Sequence, residues 1–299
     1  MATNLSQSHY NFAPSLPAAI IWASLYSIAF AVTFFQWIKY RAWVWVVMVL
    51  AAGMESGGYI VRSISAQHVD NKKIYVVQFC LIVLAPVLMA AVLYVAFGRI
   101  VFHVVPRQAR TIALLWVPPR FVTPIFVICD IIALFLQLIG AIIITSVQPG
   151  DEDAASKLNK GKAIALIGVA VQMISFGLFS VVAIRFNFTS KRFEAEFQER
   201  IRGSLDEKYS TFDGVDRKLK RNWVALLRCV NFASLMILVR SVYRMIDFAL
   251  GRAGYTETHE WCVYIFDALP IFPVVALFTY WHPAKYLPYL GFRLPKHAR

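Results

Sequence analysis

The residues best suited to chemistry lie where charge is costly. Between 238 and 267 the chain reads LVRSVYRMIDFALGRAGYTETHEWCVYIFD. Arg240, Arg244 and Asp247 stand at i, i+4 and i+7, and Glu260, Tyr264 and Asp267 repeat that spacing. Each set therefore falls on one helix face. Both sets sit in apolar stretches long enough to cross a bilayer, where a centrally placed charge costs about 2.5–3.5 kcal/mol. Such groups are tolerated when they pair, face a bundle interior or line a wet cavity. The two stripes thus predict a bundle built to face them towards each other. Glu55, Tyr59 and Arg62 form a third stripe with the same spacing, within AAGMESGGYIVR. Asp130 and Gln137 stand seven residues apart on one face, and Gln78 and Gln172 are single polar groups in apolar runs.

The arginines suit phosphate or carboxylate groups and the carboxylates suit amines. Glu55 and Asp130, as lone carboxylates in apolar segments, are candidates for proton exchange. An ion-pair network that merely holds helices together is the competing reading. Desolvation makes that an inefficient way to stabilise a bundle, which favours a substrate or proton path. Gln78, Gln137 and Gln172 read first as interhelical hydrogen-bonding groups. No G-x-x-x-x-G-K-S/T loop, H-E-x-x-H pair or nucleophile elbow is present, so the chain is expected to be no enzyme and to take no nucleotide, metal or other cofactor. The six histidines are scattered, and Cys80, Cys129, Cys229 and Cys262 read as buried thiols.

The elements that must position these groups follow from composition. Of 299 residues, 59% are hydrophobic and only 16% charged, with a mean hydropathy of +0.59. That excludes an ordinary soluble domain and predicts an all-α, polytopic membrane protein. Seven continuous apolar runs are expected to span, at about 18–37, 42–61, 74–97, 121–147, 163–186, 223–247 and 261–281. They define a membrane domain over 18–285, flanked by segments 1–17 and 286–299. The net charge of +13 reads as basic loops that set topology, not as nucleic-acid binding. Most Lys and Arg fall on the first, third and fifth loops and the tail, which predicts the N-terminus outside and the C-terminus cytoplasmic. The triplet at Asn4 is then lumenal and a glycosylation site, whereas that at Asn187 stays unmodified. In this orientation the charges form a funnel opening outwards. The linker at 150–162 reads as flexible. In the long loop 191–221, Phe193, Phe197 and Ile201 recur at fours and predict an amphipathic continuation of the fifth span.

Taken as a set, these motifs resemble the fungal RTA-like family, also called the lipid-translocating exporter family. The resemblance rests on ESGGYIVR in the second span, Gln78 with Ala85-Pro86, Ala90-Ala91 and Tyr94 in the third, and D-x6-Q-x2-G in the fourth. LVRSVYRMIDF in the sixth and E-x3-Y-x2-D-x2-P in the seventh complete it. It covers essentially residues 18–285. It implies that the polar motif residues Glu55, Tyr59, Arg62, Gln78, Asp130, Gln137, Arg240, Arg244, Glu260 and Asp267 act together. Asp247 departs from the family pattern, which has Glu there, and the shorter side chain predicts a looser pair with Arg244 or Arg62. The implied activity is transport of amphipathic lipid-like molecules (a sphingoid base, a phospholipid or a toxic amphiphile) at the plasma membrane. Such a substrate and the surrounding lipids would be its partners. A seven-span receptor or regulator of lipid or stress signalling fits the same topology, and a porphyrin carrier differs only in cargo.

Overall fold

A computed structural model of the chain describes residues 14–69, 71–110, 112–147, 153–193, 209–212, 215–220, 222–251 and 254–288. Seven helices are long and apolar enough to cross a membrane. They are α1 (Leu16–Tyr40), α2 (Val46–Gln67), α3 (Lys72–Val104), α4 (Pro119–Ser146), α5 (Ala154–Thr189), α6 (Trp223–Leu250) and α7 (Glu260–Lys285). The protein is a multi-pass membrane protein of all-α class. Consecutive helices pack on one another, α7 closes back on α1 and α6, and α3 lies against α2, α4 and α6. The interior is aromatic, with Tyr26, Tyr59, Tyr94, Phe97, Phe176, Phe179, Phe186 and Phe278 fully buried. Ile28, Phe35, Ile142 and Phe188 are exposed outside, the inverted distribution expected where the solvent is lipid.

Local chemistry sets the helix ends. The Asn71 side chain accepts from the amides of Lys73 and Ile74, and Asn222 accepts from Ala225 at 3.1 Å, satisfying donors left open in a first turn. Gly251, at φ +68°, terminates α6 in a conformation costly for residues with a Cβ.

Three stretches differ from the sequence expectation. The linker before the fifth span is helical from Ala154, so α5 starts about nine residues early. Gly161 explains it: a Cβ there would lie 3.0 Å from the Gly140 carbonyl oxygen, so packing against α4 carries the helix beyond the apolar run. Second, α3 continues to Val104, since Ile100, Val101 and Val104 are buried. Third, part of the long loop is a two-stranded antiparallel hairpin, β1 (Tyr209–Phe212) with β2 (Val215–Lys220). The intervening Asp213-Gly214 is its sequence signal. Of the expected amphipathic continuation, Phe193 is helical; Phe197 and Ile201 lie outside the described residues, as does Asn4.

Candidate functional site

Three stripes meet between α2, α6 and α7. At one end, Arg62 Nη2 donates to Glu260 Oε1 at 3.3 Å and Arg62 Nε to the Tyr264 hydroxyl at 3.2 Å. The Tyr264 hydroxyl in turn donates to Glu260 Oε1 at 3.0 Å, and the Arg62 guanidinium lies 5.2 Å from the Tyr264 ring centroid. The backbone amide of Ser15, at the start of α1, donates to Glu260 Oε2 at 2.7 Å. Glu260 thereby ties α1, α2 and α7 together.

One rung further in, Asp267 takes two guanidiniums. Arg244 Nη2 reaches Oδ2 at 2.5 Å, and Arg240 Nε pairs with Oδ1. Asp267 is 1% exposed, so neither charge could be held there singly without a large desolvation penalty. Asp247 lies 3.8 Å from Arg244, at the edge of ion-pair range.

The backbone prepares these contacts. Pro86 lies inside α3 and supplies no amide hydrogen, so the Ile82 carbonyl loses its intrahelical donor. Arg240 Nη2 donates to that carbonyl at 2.9 Å. Gly58 allows the approach, for a Cβ on it would lie 2.6 Å from Ile82 Cγ1. In α7 a π-turn spans Tyr264–Ala268, closed by Leu269 N–H bonding to the Tyr264 carbonyl. Pro270 follows at once and cannot donate to the previous turn. Wide turns of this kind often occur at functional sites, and this one carries Asp267.

A narrow cleft opens onto the cluster, lined by Arg62, Tyr75, Gln78, Arg244, Asp247 and Asp267 among others, with a volume of about 50 Å³. That is room for a few waters, so a bulky headgroup needs the helices to part. Glu55 is 1% exposed and does not line the cleft, and among the described residues neither of its oxygens has a hydrogen-bond partner. Tyr59, one turn away, stacks on Tyr26 at 5.2 Å, and the Tyr26 hydroxyl donates to the Ala268 carbonyl at 2.8 Å.

Two of the sequence-derived candidates lie elsewhere. Asp130 does not join the cluster: its Oδ2 accepts from the Tyr94 hydroxyl at 2.8 Å, beside Phe126 and Phe179. Gln137 Nε2 donates to Gln172 Oε1 at 2.8 Å between α4 and α5. Period-seven spacing puts Asp130 and Gln137 on one face of α4 but does not say which neighbour that face meets. The Ser15 amide and the Ile82 carbonyl escape a sequence reading because both are backbone groups; Pro86 is the available signal for the second. The four cysteines are free thiols, and among the described residues no group of three His, Cys, Asp or Glu could hold a metal ion.

A family model described as RTA1 like protein matches residues 48–289. Among curated proteins, the chain is similar to Protoporphyrin uptake protein 1 of Saccharomyces cerevisiae, 32% identical over 226 residues, covering 76% of this chain and 64% of that protein. It is 25% identical over 292 residues to Probable lipid transporter atnI of Emericella nidulans, covering 95% and 70%. With Sphingoid long-chain base transporter RSB1 of Saccharomyces cerevisiae it shares 24% identity over 296 residues, covering 94% and 75%. The chain spans less than two thirds of the first relative's length. No solved structure matches it.

Proposed function

The chain belongs to the RTA1-like protein family, and from that premise we propose that it is a non-enzymatic transporter of amphipathic, lipid-like molecules at the plasma membrane. The observation that carries this reading is the cleft between α2, α3, α6 and α7, where buried charges of both signs border an apolar helix surface. Arg62 and Arg244 suit an anionic part of a headgroup, and Asp247 and Asp267 suit an ammonium; the tail lies along apolar helix faces. Relatives named for lipid and sphingoid-base transport support the same substrate class. The cluster lies at one end of the helices and the cleft is small, so headgroup entry calls for α7 to shift on α6, a movement that the π-turn suits.

The test is reconstitution of the full chain in phosphatidylcholine vesicles with labelled long-chain base or phospholipid. Movement above that of empty vesicles, reduced in R244A and D267N, is expected. Equal movement in loaded and empty vesicles overturns the proposal. A receptor would instead lose signalling output when loop 191–221 is replaced by a neutral linker, whereas a transporter keeps its amphiphile resistance.

A further inference from the structure

Glu55 is the one carboxylate of the three-stripe cluster that nothing in the cluster satisfies. Arg62 is matched by Glu260, and Asp267 takes both Arg240 and Arg244, with Asp247 beside Arg244. These six side chains already balance as three cations and three anions. An ionised Glu55 would be a seventh, uncompensated charge, fully buried and without a hydrogen-bond donor among the described residues. A buried charge needs a partner, or the group neutralises. The cleft lining does not include Glu55, so an ammonium headgroup seated in that cleft does not touch it. The cation that fits there is a proton.

The groups acting on Glu55 come from every helix around it. They are Tyr26 on α1, Tyr59 on α2, Arg240 and Arg244 on α6, and Asp267 on α7. From α3 the cluster receives the Ile82 carbonyl, already used by Arg240. Of the two arginines, Arg244 has both Asp267 and Asp247 beside it, whereas Arg240 has Asp267 alone among the described residues, so Arg240 is the one free to leave while Asp267 keeps Arg244.

We propose that Glu55 is a proton-binding site, and that Arg240 is its switch, ejecting the proton when it leaves Asp267 for Glu55. In the arrangement described, Glu55 carries the proton. When Arg240 turns to it, the same movement extends the cleft to Glu55, the Glu55 O–H bond breaks and the proton passes to a water that enters there. The carboxylate then pairs with Arg240, and Asp267 stays paired with Arg244. Charge in the cluster is conserved except for the proton that departs. The π-turn that carries Asp267 supplies the movement separating it from Arg240. The site goes beyond the transport reading and stands whatever the cargo is.

Infrared spectroscopy of the full chain in phosphatidylcholine vesicles tests it without any amphiphile. Wild type should show the carbonyl stretch of a protonated carboxylic acid, and Glu55→Gln should lose that component. Asp267→Asn frees Arg240 to pair with Glu55 and should lose the same component, although Glu55 itself is unchanged. Should Asp267→Asn fail to fold, Arg240→Gln gives the reverse reading: with no cation to take its place, the acid band persists to more alkaline buffer than in wild type. Spectra of wild type and Glu55→Gln that superimpose overturn the site. An unchanged band in folded Asp267→Asn, or an unchanged titration in Arg240→Gln, overturns the switch. A chain that passes these tests yet moves no amphiphile would sink the transport reading alone.

Discussion

Arg240 donates to the Ile82 carbonyl at 2.9 Å, the carbonyl that Pro86, four residues on, leaves without a helical donor. A proline in a membrane helix thus creates the acceptor that seats a buried arginine from another helix. Pro86→Ala returns an amide hydrogen to that carbonyl and makes it compete with Arg240. The expected outcome is thermal stability equal to or above wild type with several-fold lower amphiphile resistance. Unchanged resistance would show that the contact is dispensable.

Asp267 neutralises two guanidiniums at once. Asp267→Ala removes the anion that both guanidiniums share, leaving Glu55 to answer Arg240 only after it loses its proton and Asp247 to answer Arg244 from 3.8 Å, and should cost about 3–5 kcal/mol. Arg240→Ala and Arg244→Ala each leave Asp267 one partner, so each should cost less. Thermal unfolding of the three variants in one detergent ranks them; a loss in Asp267→Ala no larger than in the single arginine variants would contradict the shared-anion arrangement.

At the other rung, Glu260 accepts from Ser15, Arg62 and Tyr264. A double-mutant cycle on Arg62→Ala and Glu260→Ala should give a coupling of about 0.5–3 kcal/mol, the range for residues in direct contact. Additive losses would mean that the pair contributes nothing of its own.

Asp130 and Tyr94 form a separate polar pair. Tyr94→Phe removes a donor from a buried carboxylate and should cost about 1–3 kcal/mol. Asp130→Asn keeps an acceptor for the tyrosine, so its loss should be smaller and its amphiphile resistance near wild type. A resistance defect in Asp130→Asn as deep as in Asp267→Asn would bring Asp130 back into the substrate path.

Gly168 packs α5 closely on α4 beside Gln137; a Cβ would lie 2.8 Å from the Ala133 carbonyl oxygen and 2.9 Å from both the Gln137 amide nitrogen and Cγ. Two of these three obstacles are backbone, so Gly168→Ala must push the helices apart and strain the Gln137–Gln172 bond. A loss of about 1–3 kcal/mol is expected, read as a lower melting temperature.

Topology has its own test. With the N-terminus outside, Asn4→Gln should abolish an endoglycosidase-sensitive mobility shift and Asn187→Gln should leave it intact. The opposite pattern would invert the bundle.

Much of this architecture is legible from local rules. Seven apolar runs of bilayer length produce seven helices, because length and hydropathy decide whether a segment spans. The i, i+4, i+7 spacing puts Arg240 with Arg244 and Asp247, and Glu260 with Tyr264 and Asp267, because helical period alone decides which residues share a face. Element ends are less legible. Ala154–Lys162 reads as a linker by polarity, yet is helical because Gly161 packs on Gly140, a contact between chain segments.

What only the tertiary structure decides is which partner each charge takes. Period says nothing of the azimuth or depth at which one helix meets another. It therefore cannot tell that Asp267 collects two arginines, that Asp130 turns to Tyr94, or that Glu55 is left without a hydrogen-bond partner among the described residues. Backbone partners such as the Ser15 amide and the Ile82 carbonyl are invisible to side-chain patterns, since every residue carries them and only packing selects one. The sequence by itself thus determines that these charges are buried in a membrane bundle, and close packing of α2, α3, α6 and α7 determines how they are neutralised.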